Sequence, residues 1–494
     1  MSYPQLQIAT VTEFGVAGPL AYPKVSIGTL PDDILLEIFN FYVDESQAID
    51  EWHTLVHVCR RWRTVVFTSP RRLDLRLLCT EKTPVRKLLD IWPVLPIVVG
   101  VRDDPTSLMD GAENIIAALE HHDRVCEVIF QRVPRSVLEI FAAVIQEPLP
   151  ALTFLMLQSN DQSALVLPDS FLGGSAPRLR SLWLDFISFP TMRELLLSAS
   201  DLVHLDIWNI PDSGYISPDA MFSCLTVMTR LETCHIGFHS PRPRPDPTTR
   251  HPPPPTRIVF PVLTLLWFRG VSEYLEDLVA QFDAPQLDFI EITYFNQLVF
   301  GNSQLPRFIS HAEKFKELSQ ADIVFYDHSV KVTLSPQTIT DDHRWLTLEI
   351  LCTESDWQLS SLTQVCSSSL PPGPLSFLER LYIHEDRYSR PLWQDDAENA
   401  QWLECLYPFT AVKNLYLSEE LWPRVAPALQ GLHGERAEKV LPALQELFIA
   451  GLGSFGPVQE AIGPFIASRQ RFDRPIAVQL WEIELERASG SEYG

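Results

Sequence analysis

Apolar residues recur at two different spacings along this chain, and the spacing changes near residue 120. Over residues 25–70 they recur every three or four positions, which is typical of short amphipathic helices. Over residues 121–485 they recur in short alternating runs that are separated by helix-like stretches. The pattern therefore predicts a small all-helical segment followed by a long α/β region in which strands and helices alternate.

The first predicted helix begins at Leu30-Pro31. Proline suits the first helical position because the missing N–H would have no partner there, and Thr29 then suits the N-cap. Asp32 and Asp33 follow in the first turn, where the helix dipole favours negative charge. The apolar positions at helical spacing are Ile34, Leu35, Ile38, Phe39 and Tyr42.

A second helix is predicted between residue 52 and Pro70, which would end it. Its apolar positions cover more than one helix face, so one face is free to pack within the pair of helices while the surplus needs a partner. These positions are Trp52, Leu55, Val56, Val58, Cys59, Trp62, Val65 and Val66.

Residues 25–70 resemble an F-box. The family pattern is a Leu-Pro opening, a helix ending in Ile-Phe, and a second helix with Val-Cys-Arg-x-Trp, found here as Leu30-Pro31, Ile38-Phe39 and Val58-Cys59-Arg60-Arg61-Trp62. The resemblance implies docking onto a Skp-type adaptor of a cullin–RING ubiquitin ligase. The alternative is an ordinary buried helical hairpin. The adaptor-binding residues that the resemblance implies are Leu30, Pro31, Ile34, Leu35, Ile38, Phe39, Val58, Cys59 and Trp62.

After residue 120 the chain repeats an apolar triplet whose ideal form is L-x-x-L-x-L, with successive starts 23 to 34 residues apart. The triplets are Val125/Val128/Phe130, Leu152/Leu155/Leu157, Leu179/Leu182/Leu184, Leu202/Leu205/Ile207, Leu231/Cys234/Ile236, Leu263/Leu266/Phe268, Leu287/Ile290/Ile292, Leu318/Ala321/Ile323, Trp345/Leu348/Ile350, Leu378/Leu381/Ile383, Val412/Leu415/Leu417 and Leu444/Leu447/Ile449.

These triplets resemble the strands of a leucine-rich-repeat solenoid, or horseshoe, with irregular repeats. A single repeat cannot bury its apolar side alone, so neighbouring repeats must stack. Most units lack the family's Asn or Cys after the triplet, and the register of the units that start at Leu318 and Trp345 is uncertain. The alternative is another α/β fold with a flat or closed sheet.

These two resemblances divide the chain into five parts. Residues 1–24 and 486–494 are predicted to be flexible termini, residues 25–70 the F-box, residues 71–120 a linker and N-terminal cap, and residues 121–485 the repeat domain. Within it, residues 241–257 form a proline-rich loop in which regular helix or sheet is not expected, and residues 475–481 are a final capping strand. The short F-box followed by degenerate repeats is similar to fungal F-box proteins.

In each predicted strand the residues between the triplet positions point to the other face, the concave face of a solenoid. Exposed tryptophan and tyrosine are typical of binding hot spots, and nearby carboxylates favour an apolar or basic segment of a target. The alternative is that the rings fill gaps between ragged repeats. The predicted target-binding residues are Trp183, Asp206, Trp208, Trp267, Glu291, Tyr382 and Tyr416.

The net charge of −24 argues against nucleic acid and against an anionic membrane surface as partners. No apolar run reaches the ~18 residues of a membrane helix, and the first residues do not resemble a signal peptide. The eight cysteines are scattered without a C-x-x-C pair, which is typical of reduced thiols in a cytoplasmic or nuclear protein.

No motif in the sequence points to catalysis. A G-x-G-x-x-G run at residues 451–456 follows a predicted strand, but that strand belongs to the repeats and lies near the end of the chain, so no dinucleotide or other cofactor is expected. His384-Glu385-Asp386 lacks a second histidine at metal-ligand spacing. The F-box resemblance implies a non-enzymatic substrate-recognition subunit of an SCF-type ligase, which binds a Skp-type adaptor, cullin and an unknown protein substrate. The alternative function is an adaptor-binding scaffold without a ligase role.

Overall fold

The computed structural model describes residues 27–46, 52–92, 94–101, 108–161, 164–242, 257–296, 304–336, 345–370, 375–393, 399–432, 439–450, 456–471 and 474–481. The chain divides into two compact units, and the division falls between Leu77 and Leu78. The predicted flexible termini and nearly all of the predicted proline-rich loop lie outside the described residues.

The first unit is helical. Its helices are α1 (Asp32–Ser46), α2 (Trp52–Val58) and α3 (Arg60–Thr68). The first helical hydrogen bond runs from the Leu35 amide to the Pro31 carbonyl at 3.1 Å, so Pro31 is the N-cap residue. The sequence predicted Pro31 as the first helical residue and Thr29 as the N-cap. In the structure Pro31 is itself the N-cap, and the first helical residue is Asp32.

The second predicted helix is two helices. Cys59 interrupts it with an extended backbone (φ −159°, ψ 169°), and its Sγ accepts a hydrogen bond from the Trp62 amide at 3.5 Å, which caps α3. A thiol is among the less common capping groups, and this is why the break was not predicted. The break leaves both Val58 and Cys59 exposed at the junction of α2 and α3.

The core of the helical unit is formed by residues from all three helices. Phe39 has no exposed surface, and its ring lies 4.7 Å from the ring of Trp62. Trp52 is buried and satisfies its indole N–H by donating to the Arg76 carbonyl at 2.8 Å. Arg61 joins α3 to the start of α1, donating from Nε to Asp32 Oδ1 at 3.1 Å. Burial of these apolar side chains, with the indole N–H of Trp52 paired, stabilises this small unit.

The second unit is built of short strands and the helices between them. Its strands are β1 (Leu77–Cys79), β2 (Ile97–Gly100), β3 (Val125–Val133), β4 (Phe154–Ser159), β5 (Leu165–Val166), β6 (Ser181–Asp185), β7 (Ile187–Ser188), β8 (His204–Ile210), β9 (Thr233–Phe238), β10 (Ile258–Val259), β11 (Leu265–Gly270), β12 (Phe282–Asp283), β13 (Phe289–Tyr294), β14 (Gln320–Phe325), β15 (Ser329–Ser335), β16 (Trp345–Leu351), β17 (Arg380–Glu385), β18 (Asn414–Leu417), β19 (Glu446–Ala450) and β20 (Ala477–Trp481).

Helices follow most of the strands. They are α4 (Val85–Ile91), α5 (Leu108–Leu119), α6 (Arg135–Val144), α7 (Met192–Ser198), α8 (Pro218–Leu225), α9 (Ser272–Val279), α10 (Gln304–His311), α11 (Gln358–Ser368), α12 (Asn399–Leu406), α13 (Trp422–Gln430) and α14 (Gly456–Arg471).

The strands form one 16-stranded sheet in the order β1-β2-β3-β4-β6-β8-β9-β11-β13-β16-β15-β14-β17-β18-β19-β20. The pairs from β2 to β13 and from β17 to β20 are parallel. The short strands β5 and β7, and β10 and β12, form separate two-stranded ribbons. Each predicted triplet lies on a strand of the main sheet or leads into one, and the sheet is open. The predicted α/β repeat architecture is therefore confirmed, and the alternative of a closed sheet is wrong.

The strands form where large apolar residues alternate with other residues. In β6, for example, Leu182 and Leu184 are buried, whereas Trp183 between them is half-buried. The buried residues form the core together with apolar residues of the helices, such as Met192 and Leu195 of α7. The buried residues of the strands recur every two positions and those of the helices about every 3.6 positions. Both sets therefore pack into the same core.

The regular order of the sheet is reversed at its centre. β15 is antiparallel to both β14 and β16, and this meander places β16 beside β13 and β14 beside β17. The strand β15 was not predicted, although its buried residues Val330, Val332 and Leu334 alternate strictly. The L-x-x-L-x-L template missed it because β15 has the alternation without the leading leucine. The two units of uncertain register are those on either side of it.

Residues 71–120 are more than a linker and cap. They contain the strands β1 and β2 and the helices α4 and α5, in the same strand–helix alternation as the later repeats. All four residues of β2 are buried, so this strand shows a continuous apolar run and not an alternating one. This is why the triplet pattern did not reveal it.

Candidate functional site

The helical unit exposes a stripe of large apolar side chains along α1. Ile34 is 48% exposed, Ile38 40% and Phe41 67%. Together with Tyr42 they follow the four-and-three-residue spacing that places side chains on one side of a helix. The Tyr42 hydroxyl lies 3.3 Å from Thr54 Oγ1 of α2, so the stripe ends beside the second helix. We call Ile34, Ile38, Phe41 and Tyr42 the α1 stripe.

The remaining predicted adaptor-binding residues separate into exposed and buried groups. Pro31, Val58 and Cys59 are exposed, whereas Leu30 is half-buried and its carbonyl accepts a hydrogen bond from Arg61. Trp62 is half-buried against Phe39.

Leu35 and Phe39 correct the prediction, because neither has any exposed surface. A side chain without exposed surface cannot contact a partner, so these two are core residues of the helical unit. Phe41 was missed, although it lies three residues after Ile38 and therefore on the same side of α1.

The repeat domain carries a continuous row of side chains on the face of the sheet opposite the triplet residues. The strand registers align one residue from each strand, and most of these residues are half-buried. We call them the central row. They are Ile129, Met156, Trp183, Asp206, His235, Trp267, Glu291, Thr347, Thr333, Asp322, Tyr382, Tyr416, Phe448 and Gln479.

The structure brings the predicted target-binding residues together. Trp183, Asp206, Trp267, Glu291, Tyr382 and Tyr416 all lie in the central row. Trp208 lies two residues after Asp206 on β8, and its ring packs 4.0 Å from the ring of Trp267. His235 and Phe448 also lie in the row. The sequence pattern places both on this face, because each lies between the second and third residues of its triplet, but they are not among the predicted target-binding residues.

Tryptophans form a cluster at one part of the central row. The rings of Trp208 and Trp267 meet at 45°, and the His235 ring lies 5.6 Å from Trp208. Nδ1 of His235 also contacts Oδ1 of Asp206. A Cβ on Gly237 would lie 2.8 Å from Trp267 Cζ3. The absence of a side chain at Gly237 therefore leaves room for the Trp267 ring. The cluster presents aromatic surface next to a carboxylate.

A second aromatic group lies on the other side of the reversed strands. Tyr382 and Tyr416 stack with centroids 4.3 Å apart and an angle of 11°. Tyr416 and Phe448 continue the stack at 4.4 Å and 7°. Burial raises the pKa of the Tyr382 hydroxyl above its ordinary value, and the neighbouring Tyr416 hydroxyl raises it further. A stack of packed rings is compatible with both alternatives from the sequence, a target-binding surface and side chains that fill gaps between irregular repeats.

Short and acidic residues separate the two aromatic groups. Thr347 and Thr333 face each other across β16 and β15, with their hydroxyls 3.5 Å apart. Asp322 follows on β14, where its Oδ1 lies 2.9 Å from Nε2 of His384 on β17. Burial lowers the pKa of His384, but the hydrogen bond and charge of Asp322 outweigh this and the net pKa is raised above its ordinary value.

The His384–Asp322 pair predicts a pH-dependent stability difference. Because the folded pKa of His384 is raised, its contribution is complete below the unfolded pKa of about 6.5 and is lost as the pH rises through the folded pKa. The His384→Gln substitution should therefore lower the melting temperature more at pH 5.5 than at pH 9. The pair is partly exposed, so the effect should stay below about 1 kcal/mol. Thermal unfolding of both proteins at the two pH values measures it.

Asp322→Asn is the control, since it removes the partner and should abolish the same pH dependence. A difference between wild type and His384→Gln that is constant or grows with pH would show that the pair does not act through the charged histidine.

Other candidate chemistry finds no support in the described part of the chain. There, no group of three or more His, Cys, Asp or Glu side chains is placed to hold a metal ion, and no described helix is long and apolar enough to cross a membrane. The G-x-G-x-x-G run lies outside the described residues except for its last glycine. Most cysteines are buried, and burial raises the pKa of Cys234 to about 12, so such thiols are protonated and unreactive.

Comparison with known proteins agrees with this geometry in the helical unit. Residues 27–76 match the F-box-like family. The chain is similar to the solved leucine-rich repeat-containing protein LegL7 from Legionella pneumophila, with 11% identity, a TM-score of 0.24, and coverage of 79% of this chain and 97% of that one. No curated protein matches the chain. The protein therefore has an F-box-like domain at residues 27–76. It is followed by a domain of alternating strands and helices, whose repeat architecture rests on its own strand order and register.

Proposed function

We propose that this protein is the substrate-recognition subunit of an SCF-type cullin–RING ubiquitin ligase. The observation that carries the proposal is the α1 stripe, which exposes large apolar side chains within a domain that matches the F-box-like family. Water-exposed apolar surface of this kind is typical of protein interaction sites. The stripe, together with Pro31, Val58 and Cys59, binds a Skp-type adaptor, and the adaptor connects the protein to cullin.

The repeat domain selects the target protein in this proposal. Its central row offers half-buried tryptophan and tyrosine rings, the residue types that dominate binding hot spots. The protein itself performs no catalytic step and holds no cofactor. It acts by bringing the target close to the subunits that transfer ubiquitin, so that a bimolecular step becomes an effectively intramolecular one.

The proposal places the protein in the cytoplasm or nucleus, with neither nucleic acid nor a membrane as a partner. It is supported by the scattered, mostly buried cysteines and by the net charge of −24. Reduced thiols are typical of these compartments, and a strongly acidic chain is repelled by phosphate backbones and anionic lipids.

Co-purification with a Skp-type adaptor and cullin tests the proposal. We expect both to be recovered with the wild-type chain and both to be lost with Leu30→Ala/Pro31→Ala, because this double substitution removes the opening of the F-box-like domain. The double substitution of Leu392 and Pro391 to alanine is the matched control, since it changes the same residue types in the repeat domain.

Recovery of the adaptor without cullin would instead indicate an adaptor-binding scaffold that has no ligase role. Recovery of neither would overturn the proposed function and would leave the three helices as a folding unit only.

A further inference from the structure

We infer that the target segment recognised by the central row is an extended peptide with two anchors, a basic residue and, about six residues away, an aromatic or large aliphatic residue. This inference rests on the proposed function only in taking the peptide to be part of a protein target. It specifies the chemistry of that target from the order of side chains along the row.

The basic anchor binds beside the tryptophan cluster. Glu291 follows Trp267 in the central row, with the two residues paired in register on β13 and β11. Within the described part of the chain, the Glu291 carboxylate has no hydrogen bond or ion pair, in contrast to Asp206, which contacts His235. An unpaired carboxylate next to the Trp267 and Trp208 rings offers a lysine or arginine both an ion pair and a cation–π contact.

The apolar anchor binds at the stack of Tyr382, Tyr416 and Phe448. The three rings are nearly parallel, at 11° and 7°, so their edges form a ridge of apolar surface that crosses three neighbouring strands. A further aromatic or large aliphatic side chain packs against such a ridge with little loss of conformational freedom.

The spacing between the anchors follows from the strand order. From Glu291 the row passes Thr347, Thr333 and Asp322 before it reaches Tyr382, which makes four strand-to-strand steps. At ~4.8 Å per step these cover about 19 Å, which an extended chain at ~3.3 Å per residue spans with about six residues. The two threonines are short, so the peptide backbone can pass over them between the anchors.

The charge of the central row favours a basic and not an acidic peptide. Its carboxylates are Asp206, Glu291 and Asp322, and the row contains no lysine or arginine. The whole chain carries a net charge of −24. A basic peptide is therefore attracted both by the row and by the long-range field of the protein.

The cations nearest to the row are already balanced in part. Arg269, Lys331 and Arg380 each lie two residues away from the row on their own strands, and Glu349 is paired with Lys331 in register. Burial lowers the pKa of Arg269, and the charge of Glu349 partly restores it. These cations therefore flank the row without cancelling its acidic character.

Selection of a random 12-residue peptide library, displayed on phage, against the immobilised full chain tests the inference. We expect the enriched peptides to contain Arg or Lys and an aromatic or large aliphatic residue about five to seven positions apart. The best enriched sequence, made as a labelled synthetic peptide, should bind Glu291→Gln and Tyr416→Ala about tenfold more weakly than wild type, as measured by fluorescence anisotropy.

Glu404→Gln and Tyr407→Ala are the matched controls, because both residues are exposed at helix α12 and its end, and neither should change the affinity. Glu291→Gln changes only the charge of an unpaired side chain, so it keeps the test valid if Tyr416→Ala lowers the melting temperature. Enrichment of acidic peptides, binding that survives both substitutions, or no enrichment above an uncoated surface would overturn the inference.

The selection is done without an adaptor, so it separates the two proposals. If peptides fail to bind while adaptor and cullin co-purify, only the two-anchor inference is overturned. If peptides bind as expected while the adaptor does not, only the proposed ligase role is overturned.

Discussion

Replacing Ile34 by aspartate is expected to weaken binding to a Skp-type adaptor by at least about 100-fold without unfolding the protein. Ile34 is 48% exposed in the α1 stripe, so in the free protein the new carboxylate stays in water and costs little. In the complex the same carboxylate would be buried against apolar surface without a partner, which costs several kcal/mol. A factor of 100 corresponds to about 2.7 kcal/mol, well within that range.

Titration of the purified adaptor against each variant, by calorimetry, measures this effect. Ile140→Asp is the matched control, because Ile140 is an exposed isoleucine on a helix of the repeat domain. It should leave the adaptor affinity unchanged. Unaltered binding by Ile34→Asp would show that the α1 stripe is not the adaptor-binding surface.

Replacing Phe39 by alanine is expected to destabilise the helical unit by about 3–5 kcal/mol. Phe39 is completely buried and packs against Trp62, so the substitution removes a large apolar side chain and leaves a cavity between α1 and α3. Since a domain is typically stable by only about 5–15 kcal/mol, the unit would lose much of its stability. Adaptor binding would then fall because the exposed stripe depends on the folded helix.

Hydrogen exchange resolved to residues 32–68 measures this loss separately from the repeat domain. Phe41→Ala is the internal control, because it changes the same residue type in the same helix at a position that is 67% exposed. It should change the stability by no more than about 0.5 kcal/mol. An equal cost for the two substitutions would mean that the buried and exposed sides of α1 are wrongly assigned.

The contrast between these two phenylalanines illustrates the limit of the F-box resemblance. The motif identified which residues belong to the domain, but it assigned Leu35 and Phe39 to the adaptor surface together with Ile34 and Ile38. All four recur at helical spacing. When a helix has apolar residues on more than one face, its sequence pattern does not show which face is buried. Only the packing of α3 against α1 decides which of them stay exposed.

In the repeat domain, too, the local sequence pattern predicted some features and missed others. The alternation of large apolar residues is local, since it depends only on the period of a strand, and it correctly predicted strands such as β6 and β18 and placed Trp183 and Tyr416 on the opposite face. The missed strands β2 and β15 have different local patterns, a continuous apolar run in β2 and an alternation without the leading leucine in β15.

By itself, the sequence determined the two-part architecture, the approximate position of most strands and the sheet face on which each predicted target-binding residue lies, because these properties follow from local periodicity and chain order. Only the tertiary structure decided that the order of β14, β15 and β16 is reversed, that Trp208 packs against Trp267, and that Glu291 and Tyr382 are four strand steps apart. Strand pairing joins residues that are distant in the chain, and its register depends on the whole set of competing contacts, which no local pattern contains.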